Sequence, residues 1–135
     1  DVYKRQGRVS NKSVQRAMRE SDVLAVPSRI GPRNQTEGLP TVIVEALSVE
    51  LPVIASRLTG IPEIVHHEET GLLIEVDDVP GLSEALSRVK DQKKNARCWA
   101  RRGRELVARE FSQARNAELL AGHVMETAIA SNGAA

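Results

Sequence analysis

Along most of this chain, short unbroken apolar runs alternate with longer stretches in which apolar residues recur every three or four positions. The runs are Val23-Leu24-Ala25-Val26-Pro27-Ser28, Val53-Ile54-Ala55-Ser56 and Gly71-Leu72-Leu73-Ile74-Glu75-Val76. Each has the length of a strand, and continuous rather than alternating apolar character is what a sheet covered on both faces requires. The spacing around them predicts helices over Ser13–Arg19, over Pro40–Val49 with proline at the first position, and over Ile61–His66 opened by Pro62. A further helix is expected over Val79–Val89, where Val79, Leu82, Leu86 and Val89 share one side, then Lys93–Glu110 and Gln113–Ala130. Ile30–Thr36, with its Gly, Pro and Asn, reads as a loop. Strands alternating with helices imply βαβ units, a parallel sheet and an α/β fold class.

Three strands are few for an open sheet. Residues Asp1 to Gln6 fit nothing that follows and resemble a translated sequencing adapter, so they are set aside as a scar. The expected organisation is therefore a scar over 1–6, a partial α/β domain over 7–110 that the chain enters part-way, and a C-terminal helix with a frayed tail over 111–135.

Composition narrows the function. The 135 residues are 41% hydrophobic and 27% charged, which argues against wholesale disorder. No stretch approaches the ~18 uncharged apolar residues of a membrane span, and the basic start lacks the apolar core of a signal peptide. The single Cys98 cannot form an internal disulfide and fits a reducing compartment; with three histidines it also excludes a Cys-rich zinc site. Three aromatics (Tyr3, Trp99, Phe111) cannot build a base-stacking surface, so nucleic acid is not an expected partner. The net charge of +1 conceals two blocks. Glu37 to Ser87 holds ten acids and one base (−9), and Arg88 to Arg104 holds eight bases and one acid (+7).

Candidate chemistry concentrates in Thr36-Glu37-Gly38-Leu39-Pro40-Thr41-Val42-Ile43-Val44-Glu45-Ala46-Leu47. A loop here carries the chain from a strand's carboxyl end to a helix start, the usual ligand side of an open α/β sheet. Gly38 allows close backbone approach, and the helix start offers free N–H groups and partial positive charge suited to phosphate. Pro40 removes one donor, leaving the amides of Leu39, Thr41 and Val42. Glu45 is the odd residue, an acid amid Val42, Ile43, Val44, Ala46 and Leu47, where burial is expensive unless the carboxylate accepts hydrogen bonds. A sugar cis-diol offers two donors at the spacing of one carboxylate's oxygens, and Glu37 can face the same crevice. Spacing alone equally allows a solvated Glu37 and a Glu45 paired with a buried base or a backbone amide.

Glu37-x7-Glu45, set in Glu-Gly-Leu-Pro…Glu-Ala-Leu, resembles the signature of the family 4 glycosyltransferases of the GT-B fold. The likeness continues through Pro52-Val53-Ile54-Ala55-Ser56, Gly60-Ile61-Pro62-Glu63-Ile64-Val65 and Thr70-Gly71-Leu72-Leu73. Upstream it includes Ser21-Asp22-Val23-Leu24-Ala25-Val26-Pro27-Ser28, and downstream Phe111-Ser112, so it covers about Gly7 to Leu120. The resemblance implies a Rossmann-like, incomplete GT-B C-terminal domain that binds a nucleotide-sugar and belongs to a retaining, cytoplasmic transferase. It implies that Glu45 holds the ribose hydroxyls and that Glu37, the catalytic candidate, contacts the transferred sugar. The donor-binding stretch Gly38, Leu39, Pro40, Thr41 and Val42 would face sugar and diphosphate through its amides. No metal is expected, and no Asp-x-Asp occurs; Asp77-Asp78 are read as turn acids. The acceptor domain is expected elsewhere, so the chain alone is expected not to transfer sugar. Rival readings are a GT-B sugar-nucleotide epimerase or hydrolase, and a non-catalytic nucleotide-sugar binding module.

Two positions depart from the family pattern. Thr59-Gly60 stands where Gly-Gly is common, and Val49-Glu50 where a small residue and glycine are usual. Arg29 and Arg33 are read first as solvated loop residues and second as acceptor or phosphate contacts. His66, His67 and His123 are read as structural or solvated, and Cys98 as a thiol in the core. Lys94, Arg97, Arg101 and Arg104 fall on one helix face, opposite Ala96, Trp99, Ala100, Gly103, Leu106 and Val107. That stripe is either a solvated amphipathic face or a peripheral contact with anionic lipid or a charged partner.

Overall fold

Pro52 turns the chain into the strand that organises the fold. In the computed structural model, which describes residues 10–30 and 41–110, β2 (Val53–Ser56) lies between β1 (Leu24–Val26) and β3 (Leu72–Ile74). Both pairings are parallel, with Ala25 opposite Ile54 and Ala55 opposite Leu73. All four residues of β2 are buried, as its unbroken apolar run requires. α1 (Asn11–Glu20), α2 (Thr41–Ser48), α3 (Val79–Asp91) and a helix over 93–110, here α4, flank the sheet.

Alternate strand residues feed two cores, because successive side chains leave a strand on opposite faces. Val53, Ala55 and Leu73 join Met18 of α1, Ile43, Val44, Ala46 and Leu47 of α2, and Leu106 and Val107 of α4. Ile54, Leu72 and Ile74 join Ala85 and Val89 of α3 with Ala96 and Trp99 of α4. α4 thus contributes its first half to one core and its second half to the other. Its buried stripe and its exposed basic face fall as the spacing predicts, but Cys98, expected in the core, is exposed, because it follows Arg97 on the outer side of the helix while Trp99 turns inwards. Arg88 lies 5.5 Å from the centre of the Trp99 ring and 2.9 Å from Glu68, tying α3 to both.

Several elements differ from the sequence expectation in extent. β1 is three residues rather than six, because Pro27 has no N–H to continue the ladder. The expected helix over Ile61–His66 is a 3-10 turn, Ile61–Glu63, entered from Gly60 at φ 81°. His66 and His67 follow it in a turn rather than on a helix. There the His66 N–H donates to Thr70 Oγ1 (2.8 Å), the Thr70 hydroxyl donates to the Ile64 carbonyl (2.8 Å), and the Leu73 N–H donates to His67 Nδ1 (3.0 Å). These histidines hold a loop, in keeping with their structural reading. Asp78 caps α3 by accepting from the Gly81 N–H (2.9 Å).

Val49-Glu50, the departure from the family's usual small residue and glycine, ends α2. The Leu51 N–H donates to the Ala46 carbonyl (2.9 Å) and the Glu50 N–H to the Leu47 carbonyl (3.0 Å), with Glu50 left-handed at φ 57°. This hydrogen-bond pair is the one that usually recruits glycine. The Glu50 side chain is held 3.1 Å from Arg104 of α4.

Gly71 precedes β3 where no side chain fits. A Cβ there would stand 2.8 Å from the Val53 carbonyl oxygen and 3.0 Å from Val65 Cγ1. Backbone inside a sheet cannot move aside cheaply, so Gly71→Ala is expected to destabilise the domain by about 1–3 kcal/mol. Chemical denaturation checks this; an unchanged midpoint would contradict the packing described. No helix among the described residues is long and apolar enough to cross a membrane.

Candidate functional site

Because β1 and β2 are parallel, the helix joining them runs back along the sheet. α2 therefore starts at the carboxyl ends of the strands and finishes at their amino ends, next to Pro52. Its first N–H groups, those of Thr41 and Val42, have no carbonyl one turn earlier within the helix and open on the carboxyl edge. Thr41 is exposed and Val42 half-buried.

Glu45 sits one turn into α2. Ile43, Val44, Ala46 and Leu47 are buried, and Glu45 lies between that face and the exposed Thr41 and Ser48, itself half-buried. Side chains on a helix lean towards its N-terminus, so this carboxylate leans towards the carboxyl edge of the sheet. Among the described residues it accepts no hydrogen bond and forms no ion pair. The plain alternative, a Glu45 satisfied by a buried base or a backbone amide, is not what the described residues show. The remaining predicted site residues, Glu37, Gly38, Leu39 and Pro40, lie outside the described residues, as do Arg33, Phe111 and His123.

The same edge carries groups with no clear sequence signal. Arg29, past the end of β1, lies 2.6 Å from Asp77, past the end of β3. Arg57, just after β2, lies 3.1 Å from Glu75. Both pairs are solvent-exposed, so they contribute little to stability, but they occupy the two described arginines of this edge. Arg29 is thus a paired loop residue, and Asp77 (φ 60°) and Asp78 are turn acids as read. Ser56, 1% exposed, ends β2 at this edge. No group of three or more His, Cys, Asp or Glu able to hold a metal ion occurs among the described residues.

Comparison with known proteins now bears on this edge. Residues 3–92 match the family described as glycosyl transferases group 1. The chain belongs to that family. The amylovoran biosynthesis glycosyltransferase AmsK of Erwinia amylovora is 30% identical over 113 residues, which are 84% of this chain and 28% of AmsK. A GDP-mannose-dependent alpha-(1-6)-phosphatidylinositol monomannoside mannosyltransferase of Mycobacterium tuberculosis is 34% identical over 92 residues, 67% of this chain and 24% of that protein. The structure of sucrose-phosphate synthase from Thermosynechococcus elongatus superposes with a TM-score of 0.71 at 31% identity, covering 93% of this chain and 30% of that one. The chain thus spans under a third of the length of these relatives. The parallel sheet with flanking helices is the Rossmann-like architecture of a GT-B domain, present here in part.

Proposed function

We propose that this chain is the donor-binding part of a retaining glycosyltransferase that moves a hexosyl group from a nucleotide-sugar to an acceptor. The observation that carries the reading is the half-buried Glu45 carboxylate, without a partner among the described residues, one turn into the helix that starts at the carboxyl edge of a group 1 glycosyltransferase domain. The two ribose hydroxyls donate to its two oxygens. Glu37 accepts from hydroxyls of the sugar being transferred, and the amides from Gly38 to Val42 face the sugar and diphosphate. The bond from the anomeric carbon to the diphosphate oxygen breaks as the acceptor hydroxyl oxygen bonds to that carbon, and the hydroxyl proton passes to the departing phosphate oxygen. The reaction needs an oxocarbenium-like centre and a departing diphosphate stabilised, which preoriented N–H groups and the α2 dipole supply. A GDP-mannose-dependent relative supports a nucleotide-sugar donor. The proposal includes no metal, as the chain contains no Asp-x-Asp. Its setting is the cytoplasm, where such donors are made.

The epimerase or hydrolase reading and the binding-module reading have no observation in their favour. Titrating the isotope-labelled chain with UDP, GDP and ADP tests the proposal. At least one nucleotide is expected to shift the amides of Thr41–Ser48 saturably, while the chain with nucleotide-sugars and a sugar acceptor gives no transfer product. Failure of every nucleotide to bind the folded chain would contradict the donor reading. Turnover by the chain alone would contradict the need for a second domain.

A further inference from the structure

At the amino ends of the strands, opposite the edge where α2 begins, lies a cleft of about 410 Å³. Buried Met18, Val89 and Ala96 form its apolar floor, and Val23, Pro52 and the exposed Leu86 also line it. Four cations rim it: Arg19 from the last turn of α1, Lys90 from the last turn of α3, and Lys93 and Arg97 from the first two turns of α4. All four are exposed, and their side chains make no ion pair or hydrogen bond among the described residues. The acids at the cleft are Asp22 and Glu50, and Glu50 is held by Arg104. Arg19 and Lys90 sit where a helix C-terminus favours positive charge. Lys93 sits at the start of a helix, where positive charge is disfavoured, and Arg97 lies a turn further on, beyond that effect, so helix stability does not account for either.

We infer that this cleft is a second ligand site, for a soluble small molecule bearing phosphate. The volume falls in the range of roughly 300–1,000 Å³ typical of small-ligand sites. The rim supplies charge-assisted hydrogen bonds to phosphate oxygens, and the floor accepts a carbon skeleton. A lipid bilayer is the weaker fit, because the apolar residues form the floor of a hollow and a bilayer presents a flat face. The site lies at the opposite end of the sheet from the proposed donor edge and does not depend on that assignment.

Titration of the isotope-labelled 135-residue chain with inorganic pyrophosphate, at an ionic strength of about 0.15 M to screen diffuse attraction, tests the inference. Saturable amide shifts are expected at 19–23, 50–52 and 89–97, read separately from any shifts at 41–48. The double variant Lys93→Glu/Arg97→Glu is expected to bind at this cleft at least tenfold more weakly, and Glu45→Ala as tightly as the parent. Acidic residues near a helix start are favoured, so the double variant keeps its fold, which circular dichroism verifies. A Lys93→Gln/Arg97→Gln variant is expected to lie between the two. Shifts that do not saturate, or that survive the double variant undiminished, would overturn the site. So would binding to phosphatidylglycerol vesicles that depends on these cations while pyrophosphate fails to bind, which would make the surface a membrane contact.

Discussion

Replacing Glu45 with alanine is expected to weaken nucleoside diphosphate binding by about 1–3 kcal/mol, roughly 5- to 150-fold, the consequence of leaving donors without their acceptor. The expectation follows from where the residue sits. Its carboxylate is half-buried one turn from the start of α2 and has no partner among the described residues. Alanine is the better helix former, and no ion pair among the described residues is lost, so the variant should melt no earlier than the parent. Glu45→Gln keeps one acceptor oxygen and should lose less affinity than alanine. Calorimetric titration of both variants separates the cases. Equal affinity for parent and Glu45→Ala would remove the ribose assignment.

The second large effect is structural and concerns the joint between α2 and α4. Leu47 is fully buried, and a Cβ placed on Gly103 would stand 2.5 Å from its Cδ2 and 3.3 Å from its Cγ. The glycine therefore lets α4 approach α2 across the core that backs the candidate site. Leu47→Ala is expected to destabilise the domain by about 2–5 kcal/mol through lost burial and the cavity it leaves. Gly103→Ala alone carries an overpacking penalty of about 1–3 kcal/mol, offset in part by a helix-propensity gain of about 1 kcal/mol. Combined with Leu47→Ala, the added methyl enters the cavity, so Gly103→Ala should turn from destabilising to neutral or stabilising. A double-mutant cycle by denaturant unfolding measures this coupling. Strict additivity would show that the two residues do not share the space.

Much of this architecture is legible in the residue pattern. Val53–Ser56 is a strand with the predicted bounds, because Pro52 marks its start and its apolar run is buried on both faces. The helix over 93–110 is legible because Ala96, Trp99, Ala100, Gly103, Leu106 and Val107 recur at helical spacing and all are buried. Legibility fails where long-range contacts or local backbone decide. Nothing near Arg29 signals that its partner is Asp77, and nothing near Glu50 signals its left-handed turn or its contact with Arg104. The helix expected over Ile61–His66 stops at Glu63 because Thr70 reaches back to hold Ile64 and His66, a closure set by residues beyond the segment.

The candidate site divides in the same way. Motif spacing picks out Glu45, and in the structure it lies half-buried one turn into α2, the helix that starts at the carboxyl edge of the parallel sheet. Its burial is partial rather than complete: the apolar neighbours that suggest a sunken acid turn inwards as Ile43, Val44, Ala46 and Leu47, while Thr41 and Ser48 face outwards. Helical geometry spreads consecutive residues around the axis, so an apolar run in sequence does not by itself enclose the residue in its midst. The cationic cleft at the other end of the sheet has no compact signature at all, since its rim is assembled from three helices.

The most direct test of the donor assignment is a crystal structure of the chain bound to the nucleoside diphosphate that titration selects. Both Glu45 carboxylate oxygens are expected about 2.5–3.0 Å from the two ribose hydroxyls, with the diphosphate towards the first turn of α2. A nucleotide seated elsewhere, with Glu45 facing solvent, would contradict it.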